Sequence, residues 1–209
     1  MRIATVLAVV ALLVGCGAEG DEAAAPQPVT VTVTEASKTT EAATTSDAPV
    51  TPLPSEMCST SGVRRTLPEQ ELPAAVASVR QRIFDAAVAC DYDALQRIAL
   101  EQGEGFTFSY GGETSAADFW RGLEEAGKTP MLDLVRIISI PHSRNETGSY
   151  AWPSAYDETP TDEDWQALVD SGLYTQAQVD EMKAQNTGYL GWRTAITPAG
   201  DWQFFVAGD

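Results

Sequence analysis

Hydrophobic and polar positions divide the chain into three stretches. Apolar and small residues run without a charge from Ile3 to Gly15, behind the single positive charge of Arg2. At Cys16 the pattern breaks. From Gly17 to Met57 the chain is Ala, Thr, Pro, Val and acid with no aromatic residue, and only VTVTVT at 29–34 alternates as a strand would. Such a stretch buries too little apolar surface to offset its ordering entropy and reads as a flexible tether. From Cys58 onward apolar positions recur with regular periods, and the aromatic residues lie there.

In that third stretch, Val76, Val79, Ile83, Ala87 and Cys90 follow Pro73 at helical spacing and predict a helix that ends at Cys90. Asp91 caps a second helix, YDALQRIAL, which stops before Gly103. FTFSY puts Phe106, Phe108 and Tyr110 on one face and predicts a strand ending at Gly111-Gly112. Ser115 and Asp118 form a capping box for a helix through Phe119, Trp120 and Leu123 to Gly127. Thr129-Pro130 opens another that cannot pass Pro141. A short strand, SYAWP, precedes two helices that start at the capping boxes Thr161–Asp164 and Thr175–Gln178. The end reads as a hairpin turning at TPAG. Its first strand has Leu190, Trp192, Thr194 and Ile196 on one face, and its second has Trp202, Phe204 and Val206 on one face. The expected fold is α+β, with helices packed on a small, mostly antiparallel sheet. Residues 58–209 are long enough for one domain with a real core.

The residues Leu13-Val14-Gly15-Cys16 follow a charged start and an apolar middle about half the ~20 residues a spanning helix needs. They resemble the bacterial lipobox: a branched apolar residue, a small or apolar one, a small one, then cysteine. The resemblance implies that residues 1–15 are a signal peptide removed before Cys16. Diacylglycerol on the Cys16 thiol, with further acylation of the new amino group, would then anchor the chain on the outer side of the cell membrane. Residues 16–57 become the tether, and the domain stands outside the cytoplasm. Cys58 and Cys90 remain, and in an oxidising compartment a leftover pair is expected to form a disulfide. The formal net charge of −17 argues against nucleic acid and against adhesion to anionic head groups, so the lipid must anchor alone. It favours a soluble monomeric domain at the membrane surface.

The order helix, acid-capped helix at CDYDAL, aromatic strand, Gly-Gly, then a helix with Phe119-Trp120 resembles the start of NTF2-like domains over residues 74–123. That resemblance implies a long helix packed into a curved sheet of successive long strands around a conical pocket. The two helices read between 161 and 186 depart from its pattern.

No motif fixes a reaction. There is no G-x-S-x-G, S-x-x-K or Gly-rich phosphate loop. His142, the single histidine, would need an orienting carboxylate, such as Asp157, to act as a general base. One histidine and two bridged cysteines leave no zinc set, and no cofactor is implied. The acids Asp157, Glu158, Asp162, Glu163 and Asp164 lack the glycine-bearing twelve-residue calcium loop and read as charges in a helix's first turn. Asn145-Glu146-Thr147 matches the N-glycosylation triplet, a chance match beside a lipobox. The remaining lead is aromatic: Tyr110, Trp120, Trp152, Tyr156 and Trp192, with His142, are candidates to line a concave site. The expectation is a lipid-anchored ligand-binding or protein-interaction module whose partner is a ligand or a cell-envelope protein. The alternative is a small pocket enzyme of the isomerase, dehydratase or hydrolase kind using His142.

Overall fold

The computed structural model describes residues 58–60, 62–63, 66–101 and 105–208. The signal, Cys16 and the tether lie outside the described residues. Six helices pack on a four-stranded antiparallel sheet, the α+β arrangement expected. The helices are α1 (Ala74–Val88), α2 (Tyr92–Leu100), α3 (Ala116–Glu125), α4 (Pro130–Ser139), α5 (Asp162–Asp170) and α6 (Gln176–Gln185). The strands are β1 (Ser143–Arg144), β2 (Tyr150–Trp152), β3 (Arg193–Ile196) and β4 (Trp202–Val206), paired in the order β1-β2-β3-β4.

Local chemistry sets most of the boundaries. Asp91 accepts the Ala94 amide at 2.8 Å to start α2, and Pro130 occupies the first turn of α4, where its missing N–H costs nothing. Thr161 with Asp164, and Thr175 with Gln178, form reciprocal capping boxes at α5 and α6. Ser115 caps α3 through the Asp118 amide, but the Asp118 carboxylate turns instead to Arg121, so that box is half made. Helix α1 stops short of Cys90. Cys90 stands beyond the helix with a left-handed φ of 49°, and Asp91 N–H donates to Ala86 O at 2.9 Å, a Schellman closure. Cys90 is therefore the residue that turns the chain out of α1, not the end of its apolar face. Its disulfide to Cys58 brings the two Cα atoms to 5.9 Å.

One core fills the space between the sheet and α1 to α4, with Ile83, Leu95, Trp120, Leu134 and Ile138 fully or nearly fully buried. A second, smaller cluster of Ala155, Trp165, Leu168, Val179 and Tyr189 holds α5 and α6 together. Gly191 makes room for it, because a Cβ there would run into the Tyr174 and Tyr189 hydroxyls.

Two strand expectations change. FTFSY forms no strand: Thr107 alone bridges to β4, its N–H donating to Gln203 O at 3.0 Å and its carbonyl accepting from Phe205 N at 2.9 Å. Phe106 packs on Trp202 with ring centres 4.6 Å apart, so the aromatics there serve the core edge rather than a sheet. In β4 the register jumps: Phe204 pairs with Ala195, but Trp202 pairs with Ile196, leaving Gln203 as a bulge. The bulge puts Trp202 and Phe205 together in the core on the helical side, instead of Trp202 with Phe204 and Val206. Strands of two to five residues differ from the long successive strands that the NTF2-like resemblance implies.

Candidate functional site

The six aromatic and histidine candidates do not converge. Tyr110 is 63 % exposed, while Trp120 and Trp152 are fully buried core residues. Trp192 stacks on Phe205 at 4.4 Å, and Tyr156 lies on the other side of the sheet, against Phe204 and under the Arg193 guanidinium. Only His142 and Trp152 meet, with ring centres 5.4 Å apart, and Tyr150 joins them at 5.3 Å from His142.

What organises that meeting is Gln70. Its amide oxygen lies 3.1 Å from His142 Nδ1 and accepts from Trp152 Nε1 at 3.1 Å, while its amide nitrogen donates to Ile140 O at 2.8 Å. An oxygen that already accepts from an indole requires the histidine to donate, so neutral His142 carries its proton on Nδ1. Burial, helped by the positive charges of Arg80 and Arg144, holds the imidazole below its ordinary 6.5. The orienting carboxylate expected of Asp157 is not there, because Asp157 accepts from the Thr159 amide at 3.1 Å. A neutral amide beside two cations disfavours the imidazolium that a general base must form.

Arg80 is the other member of this cluster. It is 3 % exposed and donates from Nε and Nη2 to Ile138 O at 2.9 and 2.6 Å, and from Nη1 to Pro68 O at 3.0 Å. Burial lowers its pKa to about 10, which leaves it charged at neutral pH. Arg80 stitches the segment before α1 to the end of α4. One signal for it stood in the sequence: a charged residue four after Val76 and three before Ile83, on the apolar face of a helix.

Three of the acids in the acid-rich stretch, Asp157, Asp162 and Asp164, are engaged locally. Asp164 completes the α5 capping box, and Asp162 pairs with Lys183 at 2.6 Å. Asn145 Oδ1 accepts from Ser149 N at 2.9 Å and closes the β1–β2 turn.

A concavity among the described residues lies elsewhere. A groove of about 760 Å³ runs between Ser59, Gly62, Val63, Thr66 and Pro68, the outer face of α4 and the C-terminal end of α5. Its walls are mostly apolar: Val63 and Pro68 on one side, Leu132, Val135 and Ile140 on the other. Among its described lining residues, Arg136 and Asp170 are the charged ones. The wall that begins at Ser59 is held at three points. Ser59 donates from N and Oγ to the buried Glu124 carboxylate at 3.0 and 2.6 Å, Thr60 Oγ1 donates to Val88 O at 2.9 Å, and the Cys58–Cys90 bond fixes its start. None of the groove residues was a candidate from sequence, since it joins parts of the chain over a hundred positions apart without a local motif. No protein family, no curated protein and no solved structure matches this chain.

Proposed function

We propose that the chain is a lipid-anchored extracytoplasmic binding module and that the groove lined by Ser59, Val63, Pro68, α4 and α5 is its ligand site. The observation that carries the reading is the groove itself. Its volume of about 760 Å³ lies in the range of small-molecule sites, ~300–1,000 Å³, and its lining joins apolar walls to the polar side chains of Ser59, Thr66, Arg136, Ser139, Asp170 and Ser171. The Leu13-Val14-Gly15-Cys16 pattern supports anchoring through lipid on Cys16. A disulfide suits an exported chain, and no helix among the described residues is long and apolar enough to cross a membrane.

The test compares variants for complementation of a deletion strain. Ser139→Trp places an indole in the groove from a half-buried position of α4 and should abolish function in a folded protein. His142→Ala should complement. The reverse pattern, full complementation by Ser139→Trp with loss in His142→Ala, would overturn the groove reading in favour of histidine chemistry. In the same strain Cys16→Ser should move the protein from the membrane to the soluble fraction, and unchanged membrane partition would refute the anchor.

A further inference from the structure

We infer that the groove takes an apolar anion, one carboxylate or phosphate head on an apolar body, and that Arg136 binds the head; this rests on the groove being the ligand site. Among the described residues, the other arginines and lysines are either exposed or engaged. Arg80 is held by two backbone carbonyls, Arg121 by Asp118 and Asp93, and Arg193 lies over the Tyr156 ring. Arg136 is half-buried in the groove lining and makes no hydrogen bond, ion pair or ring contact with a described residue. Its guanidinium offers five N–H donors in a plane, and partial burial without acceptors is unfavourable.

The nearby acids make no hydrogen bond to it. Asp133, one helical turn back, feels the Arg136 charge but accepts its hydrogen bond from Thr129 Oγ1 at 3.2 Å, and Asp170 at the groove accepts from Gln166 Nε2 at 2.8 Å. The guanidinium stands 3.6 Å from where a Cβ at Gly172 would be, an ordinary van der Waals separation. The serine hydroxyls of the lining are already donated: Ser59 to Glu124, Ser139 to Val135 O and Ser171 to Leu168 O. Among the described lining residues, what remains is one strong cationic donor beside apolar walls. Asp170 penalises a second anionic group in the same ligand, which is why the chemistry indicated is a single head. A bidentate carboxylate or phosphate matches the arginine fork.

A matched pair of fluorescent probes tests this: anilinonaphthalene sulfonate, and N-phenylnaphthylamine, the same ring frame without the sulfonate. Both are titrated against the full chain carrying Cys16→Ser, with a cooperative melt as the check on folding. The expected result is saturable binding of the sulfonate at one site, about tenfold tighter than the neutral probe. Arg136→Gln should erase that difference, while Arg82→Gln, which removes an exposed cation paired with Glu101, should preserve it. Decanoate or decyl phosphate should displace the sulfonate, and which competes better names the head. Equal binding of both probes, unchanged in Arg136→Gln but lost in Ser139→Trp, would overturn the anion inference and leave the groove standing. Equal weakening by Arg82→Gln would also overturn it. Failure of both probes to bind, or binding indifferent to Ser139→Trp, would instead refute the groove reading.

Discussion

His142 lies where one proton alters three contacts. Its Nδ1 proton goes to Gln70, its ring meets Tyr150 and Trp152, and Arg80 and Arg144 bring positive charge close by. Burial first, and then the two arginines, push its folded pKa below the ordinary 6.5, so the unfolded chain takes up this proton more readily. By linkage, the contribution of neutral His142 to stability is fully present above 6.5 and is lost as pH falls through 6.5 toward the lower folded value. Urea midpoints measured for wild type and His142→Ala between pH 8 and pH 5 should therefore converge as the solution is acidified. Parallel curves would mean that the imidazole titrates alike in both states. The sequence showed this histidine but not its surroundings: Gln70 is 72 positions away and carries no motif. Asp157, the acid named as a possible orienting carboxylate, is drawn into a local turn with Thr159.

At the scale of elements, legibility followed the range of the forces involved. Helix starts were readable because a cap acts within three residues: Asp91, Thr161, Thr175 and Pro130 stand where expected and act as expected. The bulge at Gln203 was not, because alternation of Trp202, Phe204 and Val206 is locally consistent and only the packing of Trp202 and Phe205 beside Trp120 overrides it. Nor was the joint between α3 and α4. There the buried Glu124 carboxylate accepts from Ser59 N, Ser59 Oγ and Met131 N, tying the groove's outer wall to the first turn of α4. A carboxylate in that place also complements the α4 dipole. Glu124→Ala strands three donors, two of them backbone N–H groups, and should cost about 3 kcal/mol in chemical unfolding. Glu124→Gln, which retains one acceptor oxygen, should cost roughly half that. Hydrogen exchange at Ser59 and Leu132 should accelerate in the alanine variant, since Leu132 N donates to Ser59 Oγ at 3.1 Å. Unchanged exchange there would show that the joint does not hold the wall.

Over the molecule as a whole, the segment that leads into the domain is also one wall of its groove, and the disulfide ties the start of that segment to the end of α1. Cys58 and Cys90 are 32 positions apart, and closing such a loop stabilises by about 3–4 kcal/mol on the chain-entropy model. Set against this, Cys90 holds a left-handed φ of 49°, a conformation that costs a side-chain-bearing residue about 1 kcal/mol relative to glycine. The two effects separate by mutation. Cys58→Ser with Cys90→Ser loses the cross-link and keeps the strained backbone. Cys58→Ser with Cys90→Gly loses the cross-link and relieves the strain at the α1 Schellman position. In thermal and urea unfolding the serine pair should fall below wild type by about 3 kcal/mol, and the glycine version should recover about 1 kcal/mol of it. Because Thr60 and Ser59 still bond Val88 O and Glu124, both variants should keep the groove wall in place and bind an apolar probe with wild-type affinity while folded. A loss of binding parallel to the loss of stability would mean that the cross-link, rather than the Ser59–Glu124 joint, sets the groove. A glycine variant no more stable than the serine pair would mean that the left-handed turn is imposed by the disulfide and relaxes without it.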